Sequence, residues 1–458
     1  MENGSFRVNA AGCSLVDNLY GRTSFETAAY RRLVSRSAGD GGLVTGGLTF
    51  SDALTAFAGS RPEDYPELLA ELAGGRAPDS SNIGGPGIVP VIHASQVRRN
   101  PAVRYRFSGV IGRDENGRRL ESLLAGAGFS SDDYRKSDMP TPSTDVLSDP
   151  AFGGGRGERT FINTIGAAAA FGPESLPTDF FDAELLLFGA TALVPPLHDA
   201  LDGLCRRGRA AGAFVMVCTV FDFRSEARMR GRPWPLVDDY GSIDLLVMDR
   251  EESLKISGCT SPAEAVAWFL TKGCGAVVVT QGVEDVLLAA RDGGPFSAPR
   301  RTAMPTCRYA DEVAAGLDTP HDTTGCGDNF VGGLLDSIAH QMAGRNGTGP
   351  NVGNRADVED GRVAGSEPDV GRGPTAADRG LAPGGPDVDR APAAAGEPAS
   401  GEAGRLNLEE AVVSGMAAGA FALTCLGGVY YEDGPGDKLA LLAPYVEAYR
   451  NQLSEGAP

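Results

Sequence analysis

Between residues 182 and 280 the chain alternates short apolar, β-rich runs with helical patterns, and no other feature restricts its fold as strongly. Residues 182–188, 214–219, 243–248 and 276–280 read as strands, and 197–207 and 262–271 read as helices. Strands separated by helices of this length build βαβ units and a mainly parallel sheet. The expected class is therefore α/β, a mainly parallel sheet flanked by helices, with ligands gathering at the carboxyl ends of the strands.

Two stretches depart from this texture. Residues 139–166 hold two β-rich runs around the turn-forming Gly153-Gly154-Gly155-Arg156-Gly157 and predict a β-hairpin. It reads as a small β lid over a site, or alternatively as an edge pair of the main sheet. Residues 344–404 contain no aromatic residue, no Ile and a single Leu, Leu381. Such a segment buries too little apolar surface to offset its ordering entropy, which predicts a disordered insertion in an otherwise single domain spanning 1–458. The uncharged run 414–431 is rich in Gly, Ala and Thr and reads as a buried helix rather than a membrane span.

A net charge of −19 disfavours nucleic acid and anionic membranes, whose binding draws on clustered Lys and Arg. A polyanionic ligand must then be held by backbone N–H groups, helix N-termini and a metal ion. Eight scattered cysteines include no C-x-x-C pair, which argues against a zinc site or a disulfide framework. The first residues lack the pattern of a signal peptide. Together these fit a cytoplasmic protein in a reducing compartment.

Asp322-Thr323-Thr324-Gly325-Cys326-Gly327-Asp328 precedes Phe330, Leu334 and Ile338, which recur at helical spacing, as do Val331 and Leu335. The glycines thus sit at a helix N-terminus. There, unpaired N–H groups and the positive end of the helix dipole favour an anion, and absent side chains let it approach the backbone. Asp328 is placed to accept a proton from a substrate hydroxyl. The plainer alternative is an Asp capping a tight turn.

The whole run resembles the second signature of the ribokinase and PfkB sugar-kinase family, Asp-Thr-x-Gly-Ala-Gly-Asp-x-Phe-x-Gly-Gly, with Cys326 in place of Ala. The resemblance implies a ribokinase-like fold, ATP and Mg²⁺ as cofactors, an anion hole of Gly325, Cys326 and Gly327, and Asp328 as the base. Further landmarks follow in the family's order. Gly12-Cys13-Ser14-Leu15-Val16-Asp17 resembles the opening Gly-x-x-x-x-Asp, whose Asp binds substrate hydroxyls, and Gly84-Gly85 resembles the substrate-side Gly-Gly. Asp249-Arg250-Glu251-Glu252 is similar to the Asn-x-x-Glu motif that organises metal and phosphate, with Asp249 replacing Asn. Thr280-Gln281-Gly282 resembles the Thr-x-Gly turn beside the nucleotide. Arg159 stands where adenosine-kinase-like members place an Arg that reaches the transferred phosphate. The resemblance also implies a homodimer joined through the lid.

Val89 stands where ribokinases use Asn to hold a sugar hydroxyl, and residues 221–224 are an altered form of a stretch found in hexose-acid kinases. The expected acceptor is a small sugar or sugar acid, with a nucleoside as the alternative within the family and a catalytically silent metabolite sensor as the alternative outside it. Deleting residues 344–404 is expected to leave fold and activity largely intact, as checked by thermal melting and ADP release. Loss of either would make the segment structural.

Overall fold

The computed structural model describes residues 5–37, 39–315, 324–345, 404–425 and 427–455. Asp322, Thr323 and most of 344–404 lie outside the described residues, so the expectations placed on them are not addressed by it.

Among the described residues the strands are β1 (Phe6–Gly12), β2 (Leu15–Tyr20), β3 (Leu48–Phe50), β4 (Ser80–Gly84), β5 (Val103–Gly112), β6 (Tyr134–Ser137) and β7 (Ser143–Asp149). They continue with β8 (Glu158–Thr164), β9 (Leu185–Gly189), β10 (Phe214–Cys218), β11 (Leu245–Asp249), β12 (Ala276–Gln281), β13 (Glu284–Ala290) and β14 (Ala303–Met304). The main sheet has the order β14-β13-β12-β11-β10-β9-β1-β5-β6. From β12 through β6 every pair is parallel, and β13 and β14 close one edge antiparallel. The mainly parallel sheet expected from the sequence is present, with helices on both faces. Small shifts have local causes: the strand expected from residue 182 begins at Leu185, because Asp182 N–H is turned back onto the Asp179 carbonyl.

The central strands β9 to β12 supply both faces with apolar side chains. In β12, Ala276 and Val278 join one buried cluster, while Val277 and Val279 join the other, as the two-residue period of a strand requires. The helices Ile88–Gln96, Cys326–Arg345 and Leu408–Ala422 cover the first face. The run expected as one buried helix to residue 431 is helical only to Ala422; beyond it the chain turns through Gly427, whose φ is +77°. No helix among the described residues is long and apolar enough to cross a membrane.

The two strands of 139–166 pair antiparallel from Ser143–Thr164 to Asp149–Glu158. They belong neither to a free-standing hairpin nor to the edge of the main sheet. They are the middle of a second sheet, β3-β8-β7-β2-β4, three of whose strands come from residues 15–84. An isolated hairpin is marginal in water, and three or more strands with an apolar face are needed for stability. That face is covered by the helices Ala28–Leu33, Ser51–Phe57 and Tyr65–Leu72, around a core including Leu54, Leu147 and Ile162.

The two sheets meet at a junction without side chains. A Cβ on Gly12, at the end of β1, would overlap the carbonyl oxygen of Gly189 at the end of β9, and one on Gly189 would lie 2.6 Å from Gly87 Cα. The chain leaves β1 there for the small sheet and returns there to begin the Ile88–Gln96 helix, with Gly87 and Ile88 N–H donating to the Cys13 carbonyl. Strand order also reverses here, since β5 lies on one side of β1 and β9 on the other. This is the switch point at which open α/β sheets bind ligands.

The small sheet has its own core, and Leu147→Ala is expected to weaken it by about 2–5 kcal/mol. Hydrogen exchange should then accelerate in β2, β7 and β8 while β9 to β11 keep their protection; equal acceleration in both sheets would show one cooperative unit.

Candidate active site

The Cys326–Arg345 helix opens at the carboxyl ends of the main strands. The Asp328 carboxylate lies close enough to the buried thiols of Cys13, just after β1, and Cys218, ending β10, to help push both upward, after burial itself. Asp17 acts on Cys13 in the same way. Asp17, from β2, and Asp328, from the helix, thus both bear on Cys13 at the switch point. Asp328 is half-buried, and burial pushes it up to about 6. It is still mainly ionised at neutral pH, yet closer to the range of a general base than a solvated Asp.

Gly325, just before the helix, has φ +80°, and a Cβ there would overlap Gly428 Cα. A Cβ on Gly327 would meet open space. The turn is therefore packed tightly on one side and open on the other, as backbone N–H groups need to be to receive an anion.

The small sheet contributes the facing wall. Asn82 pairs with Asp17, Asp17 with Thr144, and Thr144 with Asn163, across β4, β2, β7 and β8. Paired residues share a face, so these four polar side chains form a row on the face opposite the small core. Gly84 makes room for Asp17, whose carboxylate occupies the space a Cβ would fill. Gly85, with φ +107°, turns the chain into the Ile88–Gln96 helix, and its carbonyl accepts from Val89 N–H at 3.2 Å. Arg159 stands on the same face of β8 as Asn163, and its Nη1 donates to Thr324 Oγ1 at 3.0 Å. That bond joins the small sheet to the glycine turn.

Farther along the main sheet, Asp249 and Thr280 are neighbours at the ends of β11 and β12. Gly282 turns the chain between β12 and β13 with φ +64°. Asp249 and Glu252 form a capping box: Asp249 Oδ1 accepts from Glu252 N–H at 2.8 Å, and Glu252 Oε2 accepts from Asp249 N–H at 3.1 Å and Thr219 Oγ1 at 2.6 Å. The box starts the Arg250–Ser257 helix. Burial, then the Asp249 charge, pushes Glu252 well above the usual carboxylate range. Two crowded carboxylates with hard oxygen donors suit Mg²⁺ and its water shell. Among the described residues no group of three or more His, Cys, Asp or Glu is placed to hold a metal, so such an ion would lean on ligand phosphates for much of its coordination.

A family model described as pfkB family carbohydrate kinase matches residues 80–347, more than half of the 458. The chain belongs to this family. Its members are phosphotransferases acting on sugars or nucleosides, as the relatives' names reflect. Aminoimidazole riboside kinase of Salmonella typhimurium is 27% identical over 242 residues, covering 51% of this chain and 67% of that one. Fructokinase of Vibrio alginolyticus is 24% identical over 280 residues, covering 58% and 81%. A probable sugar kinase from Rhizobium etli has the same fold, with a TM-score of 0.59 at 15% identity over 96% of this chain and 99% of that one.

In this pfkB kinase Asn82, Thr144, Asn163 and Gly428 carry no signal in the linear sequence. The first three lie on strands whose pairing is not visible in a linear pattern, and Gly428 is an ordinary Gly-Gly residue until it meets Gly325. Val89 is buried in the Ile88–Gln96 helix, and its side chain lies beside Gly428. Gly325→Ala is expected to cost at least about 2 kcal/mol, from the left-handed backbone and the overlap with Gly428. A denaturant midpoint equal to that of the parent protein would contradict this packing.

Proposed function

We propose that this pfkB kinase transfers the γ-phosphoryl group of ATP to a hydroxyl of a small sugar or sugar acid, with Asp328 as base and the amides of Gly325, Cys326 and Gly327 as anion hole. The bond from Arg159 to Thr324 carries the reading, because it brings the polar face of the small sheet onto the glycine turn. Asp17, Gly84 and Gly85 then attend the acceptor, and Arg159 approaches the transferred phosphate. Asp249, Thr280 and Gly282 border the nucleotide.

Phosphoryl transfer asks mainly for positioning and charge stabilisation. Asp328 takes the proton of the attacking hydroxyl. The helix N-terminus and the turn amides stabilise the negative charge that spreads over the phosphoryl oxygens. The small sheet excludes water as a lid. Glu252 and Asp249 would hold Mg²⁺, which would supply positive charge to the phosphates. A dimer joined through the lid remains part of this proposal, as does a cytoplasmic location.

A cavity of about 150 Å³ adjoins Asn163 and bears on the acceptor. Phe50 and Phe223 meet edge to face in its wall, beside Ile165 and Leu193. Arg224 also lines it, its Nη2 donating to Asp199 Oδ2 at 3.2 Å. A guanidinium shared with a single Asp keeps donors for a second carboxylate, so an acceptor bearing a carboxylate fits this end of the cavity. The aromatic wall favours the second reading, a nucleoside whose base lies on Phe50 and Phe223. Turnover on a panel of hexoses, sugar acids, ribose and adenosine separates the two. Arg224→Ala should raise the KM of a sugar acid selectively and leave that of a nucleoside within a few-fold.

Asp328→Asn is expected to preserve ATP binding and lower kcat by several orders of magnitude. Because the folded protein raises the Asp328 pKa, the ionised form is the disfavoured one, and its contribution to stability worsens as pH rises through about 6. The Asn variant should therefore melt at the same or a higher temperature at pH 7. Near-parental turnover would remove Asp328 from the mechanism.

A further inference from the structure

Behind the glycine turn lies a buried cation that the reaction as described does not use. Lys438, at the start of the Asp437–Glu455 helix, is 1% exposed. A buried ammonium is costly, and a helix N-terminus is the wrong end for a positive charge. No carboxylate among the described residues lies within ion-pair distance of it. Its Nζ donates instead to two side-chain amides, Gln96 Oε1 at 2.9 Å and Asn329 Oδ1 at 3.2 Å.

Asn329 follows Asp328, and its whole hydrogen-bonding capacity is committed. Oδ1 also meets His93 Nδ1 at 2.7 Å, and Nδ2 donates to the carbonyls of Gly325 and Gly428, each at 2.8 Å. Two backbone carbonyls can only accept, so the orientation of the amide is unambiguous. His93, fully buried, is held well below its ordinary range by burial and then by Lys438, and stays neutral. Its Nδ1 therefore carries the proton given to Asn329, and its Nε2 is left buried without a partner. Asn329 N–H adds a second bond to the Gly325 carbonyl at 2.8 Å.

In a trans peptide the C=O and N–H point to opposite sides. Fixing the Gly325 carbonyl toward Asn329 thus directs the Cys326 N–H away from it, on the side assigned above to the phosphate. We propose that Lys438 is a positioning residue for phosphoryl transfer, its ammonium orienting and polarising the Gly325–Cys326 peptide through the Asn329 side-chain amide. The chain of dipoles is aligned: ammonium, Asn329 C=O and N–H, Gly325 C=O, Cys326 N–H. Hydrogen bonds in such a series strengthen one another in a low-dielectric interior. A chain with a net charge of −19 in this way places a positive charge behind an anion site without exposing it.

Burial lowers Lys438 to about 8, opposed by Cys425 and Glu432. His93, Cys425 and Glu432 are the titratable groups that face it. The ammonium is charged below that pH and loses its charge as pH rises through it, so an alkaline loss of kcat follows.

The inference rests on the proposed anion hole, and its test keeps the two apart. The chain of 458 residues is assayed by ADP release with ATP and whichever of fructose, gluconate, ribose and adenosine turns over fastest. Lys438→Met should lower kcat about 10- to 100-fold with both KM values within about three-fold. The parent protein should lose kcat above pH about 8 and the variant should lack that limb. A merely structural lysine would lower the melting temperature and leave the limb in place. Unchanged kcat, or an alkaline limb that persists in folded Lys438→Met, overturns the proposal. Should that variant not fold, Asn329→Ser keeps Lys438 and breaks the relay; it must lose the same limb, and retention of the limb overturns the proposal equally. Asp328→Asn is run beside them. If it is inactive while Lys438→Met is normal, only the relay fails; if it is fully active, the site assignment itself fails.

Discussion

The structure depends on the meeting of Gly12, Gly87 and Gly189, where backbone touches backbone with no side chain between. Close-packed interiors tolerate little added volume, so a methyl group at Gly12 or Gly189 would force the ends of β1 and β9 apart. From that junction the chain passes from the main sheet to the small one and back. The same contact brings Cys13, Asp17, Gly85 and the Ile88–Gln96 helix to the carboxyl ends of the parallel strands. The polar row of the small sheet faces the glycine turn because its strands are anchored here.

Around this junction the molecule meets a problem set by its own charge. In the proposed reading, an acidic protein attracts a polyanion without a basic surface, by means of a few oriented groups. The helix at Cys326 presents its N-terminus, Arg159 approaches Thr324 from the front, and Lys438 stands behind. In low dielectric each of these acts more strongly than an exposed lysine would. The same burial raises Asp328 toward the range of a useful base. Desolvation therefore shapes both the acid–base and the electrostatic halves of the site.

Asp249 and Glu252 illustrate how structural and chemical roles overlap. Their mutual capping starts a helix, and that duty alone would account for both residues. Yet burial and the Asp249 charge together push Glu252 above the usual carboxylate range, a strain that the proposed divalent cation would relieve. Helix capping does not exclude metal binding; it holds the two carboxylates still.

The sequence alone determined the elements governed by local pattern. Apolar runs marked β9 to β12, the spacing of Phe330, Leu334 and Ile338 marked the helix that holds Asp328, and the glycine run marked its N-terminus. Those signals are legible because they depend on neighbours within a few residues. Tertiary structure alone decided what depends on register and burial. The hairpin of 139–166 became the middle of a five-stranded sheet once strands from residues 15–84 paired with it. Asn82, Thr144 and Asn163 became a row only through that pairing. Val89 was placed beside Gly428 by the packing of its helix, and Lys438, an ordinary surface residue to any composition rule, was drawn behind Asn329 by the docking of the last helix. Contacts between residues more than a hundred positions apart leave no periodic trace, so their chemistry appears only once the chain is folded.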